Sequence, residues 1–67
     1  MWIVNTNGKQ IYKDTDLLDS LLAFIYECKD AIETASASNP IVVSLIQQVE
    51  QDNGAVAQFP YFTNSYK

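Results

Sequence analysis

The sequence predicts a small α+β domain with the element order β-β-α-α-β, its last strand a candidate only. Three observations carry this: an Asn-Gly pair between two patches of strand formers, a long run of apolar residues recurring every third or fourth position, and an Asn-Pro pair that opens a second apolar run. At 67 residues the chain makes a single domain, 1–67, and a domain of this size buries only about 60% of the surface its unfolded chain exposes. With 48% hydrophobic and 18% charged residues it lies near the globular average and away from the compositions that stay disordered.

The hairpin comes first. Trp2-Ile3-Val4 and Ile11-Tyr12 favour strands, and Asn7-Gly8 between them accepts the positive φ angles of a type I′ turn, which places strands at about 2–5 and 10–13 within a hairpin 2–13. Two short strands are marginal in water alone, so the hairpin needs a surface to lie on.

A long helix, 15–37, supplies that surface. Asp14, Thr15 and Asp16 crowd its start with capping side chains and with negative charge where the helix dipole favours it. Leu18, Leu21, Ile25, Cys28, Ile32 and Ala35 then recur at spacings of 3, 4, 3, 4 and 3. Leu17, Leu22, Phe24 and Tyr26 widen the apolar surface, so the first half of the helix is expected to be contacted on two sides.

Ala35-Ser36-Ala37-Ser38 thins the side chains, and Asn39-Pro40 offers a cap followed by proline at the first helical position. A second helix is expected over 40–52, with Val42, Leu45, Ile46 and Val49 on one face, although the β-branched Ile41-Val42-Val43 argues the other way. Asn53-Gly54 would end it. In the aromatic C-terminal segment 55–67, Ala55–Phe59 is the candidate third strand, which Pro60 would terminate.

Composition excludes several function classes. The chain has four lysines and no arginine against eight acids, a net charge of −4, and cannot build the basic stripe that direct nucleic-acid binding needs. It has no histidine and one cysteine, hence no zinc set, no imidazole to activate a nucleophile and no internal disulfide. Two isolated glycines cradle no phosphate, and Asp14–Ile25 has leucines where a calcium loop needs oxygen ligands. No catalytic, metal or cofactor residue is assigned, and the chain is not expected to be an enzyme. The absence of a signal peptide, of a membrane-length apolar stretch and of paired cysteines points to a cytoplasmic protein that binds no membrane.

What remains is protein binding. Asp16, Asp19, Glu27, Asp30 and Glu33 fall away from the apolar seam and form an acidic helix face, which is either a solvated surface or an electrostatic contact for a basic partner. Tyr61, Phe62 and Tyr66 are candidate anchors, because aromatic side chains bury much area with few rotatable bonds; the other reading folds this tail back around Trp2. Leu18, Leu21, Ile25, Cys28 and Ile32 are the interior of a monomer or the interface of a homodimer, and the apolar surplus favours the dimer. The expected function is therefore that of a small acidic inhibitor or adaptor occupying a functional surface of a larger protein, of the kind that viruses and mobile elements encode. One alternative is a homo-oligomeric structural subunit with no separate target. Another is a weak DNA mimic, for which five acids along about 30 Å of helix are sparse.

Overall fold

The computed structural model describes residues 1–67 and has one helix and four strands: β1 (Trp2–Thr6), β2 (Lys9–Asp14), α1 (Leu17–Thr34), β3 (Ile41–Glu50) and β4 (Val56–Tyr66). The strands form a single antiparallel sheet in the order β2-β1-β3-β4, and α1 lies across one face of it. The domain is α+β with the order β-β-α-β-β, which corrects the expected β-β-α-α-β.

The first hairpin turns on Asn7 and Gly8, with φ of 51° and 80°, the pair of positive angles a two-residue type I′ turn requires. β2 carries a bulge that sets Ile11 between the residues opposite Val4 and Asn5. Helix α1 begins after Asp16, whose Oδ1 accepts the Leu18 amide at 2.9 Å. It ends at Thr34 rather than 37, because Ala35 turns extended and Ser36 and Asn39 close a small turn by exchanging main-chain hydrogen bonds of 3.1 and 3.0 Å.

The expected helix 40–52 is strand β3. Pro40 stands before the strand instead of at the first turn of a helix, and the β-branched Ile41-Val42-Val43 stiffens the chain in the extended form. Alternation decides the outcome. Ile41, Val43 and Leu45 pack toward α1, whereas Ile46 pairs with Ile3 on the opposite face. Read at helical spacing, Val42, Leu45, Ile46 and Val49 gather into one stripe; in the strand they divide between two faces.

Asn53-Gly54 accordingly reverses a hairpin rather than capping a helix. Gly54 takes φ 82°, its amide donates to Gln51 O at 2.9 Å, and Asn53 Oδ1 accepts the Ala55 amide at 3.0 Å. The candidate strand Ala55–Phe59 is eleven residues long, Val56–Tyr66, and runs through Pro60. Proline is tolerated there because β4 is the sheet's edge and the chain bulges at Tyr61, between the partners of Leu45 and Ile46.

The core lies between α1 and the sheet. Phe24, Cys28 and Ala31 meet Val4, Val43 and Leu45, with Trp2, Tyr12, Leu21, Ile41 and Tyr66 packed at its margin. Ser20 is fully buried, its hydroxyl donating to Asp16 O at 2.8 Å, so the first turn of the helix approaches the sheet closely. No helix is long and apolar enough to cross a membrane.

Candidate functional site

Only nine residues are buried, eight of them hydrophobic, whereas fourteen large hydrophobic side chains are exposed. No cavity opens in the surface, and nowhere do three or more Cys, Asp or Glu side chains converge as metal ligands do. What the molecule offers is surface, and α1 organises it.

The helix seats on the sheet through Ser20, Phe24, Cys28 and Ala31. The expected seam divides accordingly: Cys28 is in the core, Leu21 is half-buried, and Leu18, Ile25 and Ile32 are exposed at 70%, 52% and 66%. Of the residues expected to widen its contacts, Phe24 alone is buried, while Leu17, Leu22 and Tyr26 face water. A single layer covers this helix on one side only.

Leu22, Tyr26, Asp19 and Glu33 point away from the sheet, at about 100° per residue around the helix axis from the buried row, with Asp30 beside them. This crest is amphipathic at close range: Leu22 and Tyr26, 53% and 65% exposed, stand among three carboxylates and the exposed Lys29. Asp16 and Glu27, also expected on the acidic face, are engaged elsewhere. Asp16 caps the helix, and Glu27 Oε2 accepts the Thr6 hydroxyl at 3.4 Å.

The aromatic residues of β4 gather over the other end of the same sheet face. Tyr61 meets Trp2 edge-to-face with ring centroids 5.2 Å apart, Phe62 stacks on Phe24 at 6.0 Å, and Tyr61 and Phe62 pack against each other at 5.6 Å. The bulge makes this possible by turning two consecutive side chains to one face. The segment thus folds back on Trp2 and yet leaves Tyr61 and Phe62 about half exposed. Tyr66 is half-buried beside Cys28; the neighbouring thiol, then burial, pushes the phenol above its usual range. Asn64 Nδ2 reaches Cys28 Sγ at 3.8 Å.

At the opposite margin Tyr12 donates to Asp14 Oδ2 at 2.8 Å. That bond, followed by burial and the nearby carboxylates, raises the phenol to about 12, and the same bond, with the Asp16 amide, holds the Asp14 carboxyl below its usual value. This network fixes the passage from β2 into α1.

Leu22 and Tyr26 as an exposed crest are what the sequence reading missed. Their spacing of four beside Asp19, Asp30 and Glu33 was visible, but which helix face met the sheet depended on how many layers covered it. Compared with known proteins, the chain matches no family model, no curated protein and no solved structure.

Proposed function

We propose that this protein works by binding another protein, as an inhibitor or adaptor that covers a functional surface of a larger partner. The observation that carries this reading is the crest of α1, where Leu22 and Tyr26 stand exposed among Asp19, Asp30 and Glu33. Apolar anchors inside a charged rim are the anatomy of a protein interface: the anchors supply the energy of water exclusion and the rim sets approach and orientation. The complementary surface is an apolar pocket bordered by Lys or Arg. Cys28 is buried as a free thiol, in keeping with work in a reducing cytoplasm.

A photo-reactive phenylalanine analogue placed at Tyr26 tests this in the native cells. The expected product is a covalent adduct with one larger protein, lost when Asp30→Lys and Glu33→Lys are combined with it. Adducts formed solely with a second copy of the chain, or an adduct indifferent to both reversals, overturn the reading.

A further inference from the structure

The two edges of the sheet are unlike. β2 is six residues long and carries Lys9, Lys13 and Asp14, charges of the kind that keep an exposed edge from pairing with another chain. β4 is eleven residues long and has no charged residue between Val56 and Tyr66. Its outer row of main-chain N–H and C=O groups has no strand beside it.

The two flanks of α1 are unlike in the same sense. Glu27 bonds to Thr6 of β1, whereas Phe24 stacks on Phe62 and Cys28 receives Asn64, which orients the helix with its Cys28 side over β4. Leu18, Ile25 and Ile32 lie about 40–80° beyond Cys28 around the axis, on the side away from Glu27. They therefore stand on the β4 side of the helix, above the strand that α1 itself covers least. The flank over β2 carries Ala23, Glu27, Asp30 and Thr34.

We propose that a second copy of this chain adds its β4 to this one, antiparallel, about a two-fold axis normal to the sheet. The joined strands are the stretch Phe62–Tyr66 beyond the bulge, since the kink at Pro60 and Tyr61 breaks the edge on its other side. Both helices then lie on one face of a continuous sheet, and Ile25 and Ile32 of each copy close over Phe62 and Tyr66 of the pair.

Three features select a second copy as the occupant. A two-fold axis lets one strand satisfy its own open edge, each donor row meeting the acceptor row of its twin. Charge agrees: each chain carries −4, yet the joined strand is uncharged and the exposed flank has Lys29 alone at its rim, so the acids of the two copies stay apart. Size agrees as well. A stable pair buries roughly 800 Å² per partner, so the proposed contact engages both the strand edge and the exposed flank of Leu18, Ile25 and Ile32. This surface is distinct from the crest at Leu22 and Tyr26, so either proposal can fail while the other stands.

Light scattering over a concentration series reads the outcome. The expected mass is twice the 7.5 kDa of the chain. Ser65→Lys, which charges the edge, and Ile25→Lys, which charges the flank, are each expected to halve it, whereas Ile11→Lys on the β2 edge leaves it unchanged. Amide exchange on the unmodified protein gives the second readout, independent of whether the variants fold. Protection at the Thr63 and Ser65 amides, which point out of the open edge, should fall at least tenfold on dilution to the monomer, with β1 and the inward-bonded Asn64 unaffected. A wild-type mass of 7.5 kDa at millimolar concentration overturns the proposal, as do a dimer that survives both substitutions in folded protein and β4 amides indifferent to dilution.

Discussion

Asn7 clasps Val42 at both of its main-chain polar groups: the Asn7 amide donates to Val42 O at 2.8 Å, and Asn7 Oδ1 accepts the Val42 amide at 2.8 Å. The turn of the first hairpin is thereby tied to the start of β3, thirty-five positions along the chain. Asn7 also holds φ 51°, which asparagine tolerates better than any branched or bulky residue. Asn7→Ala forfeits both, and the expected loss is about 1–3 kcal/mol, from left-handed strain and one hydrogen bond. Asn7→Asp, which keeps the acceptor, should lose less than half of that. Urea denaturation of the three proteins decides it, and equal midpoints for Ala and Asp would show that the side-chain oxygen contributes nothing.

Phe24 and Leu22 are two residues apart on one helix, and opposite consequences are expected. Phe24 is 6% exposed and stacked on Phe62, so Phe24→Ala should cost about 3–5 kcal/mol, much of what so small a domain has. Leu22→Ala removes only crest surface and should stay within about 0.5 kcal/mol. Thermal melts followed by circular dichroism give both values. A large loss at Leu22 would place that side chain in a packed environment and contradict the orientation of α1.

The N-terminal hairpin and the long helix were legible in the sequence because local chemistry specifies them: Asn7-Gly8 needs no tertiary help to turn, and Asp16 caps wherever the helix lies. Residues 40–52 were not. Asn39-Pro40 is compatible with the start of a helix and with the approach to a strand, and Val42, Leu45, Ile46 and Val49 satisfy a helical stripe as well as they line both faces of a strand. The β-branched Ile41-Val42-Val43 held the deciding information, and the vacancy beside β1 made it count: Val4 and Ile3 need Leu45 and Ile46 as cross-strand partners. With no second helix to cover it, α1 leaves Leu18, Ile25 and Ile32 exposed within the single chain. The candidate site was legible to the same extent. Asp19, Asp30 and Glu33 do share a face, while Asp16 and Glu27 were claimed by a cap and by Thr6, which no spacing reveals.

Asp16 has a structural role that mutation isolates. Its Oδ1 accepts the Leu18 amide, one of the donors a helix start leaves unpaired. Asp16→Ala is expected to cost about 1 kcal/mol and Asp16→Asn only a few tenths, because asparagine caps as well as aspartate does. Chemical denaturation measures both. Equal losses for the two variants would mean that charge near the helix terminus, and not the capping bond, is what Asp16 contributes.

Tyr12 and Asp14 couple the fold to pH at both ends of the scale. The Asp14 carboxyl is held low, first by the Tyr12 hydroxyl and then by the Asp16 amide. Its contribution is therefore complete above the ordinary carboxylate range and is lost as pH falls through that range to the lowered folded value. The Tyr12 phenol is raised to about 12, first by the same bond, so its contribution is complete below the ordinary value of 10.0 and is lost as pH rises from there through 12. Tyr12→Phe removes the shared bond. Asp14 should then titrate at higher pH, and the loss of stability on acidification should become shallower. Carbon-detected NMR titration of the Asp14 carboxyl in both proteins tests the coupling directly. Identical titration midpoints would assign the low value to the Asp16 amide and Thr15 and leave the 2.8 Å Tyr12 bond without energetic weight.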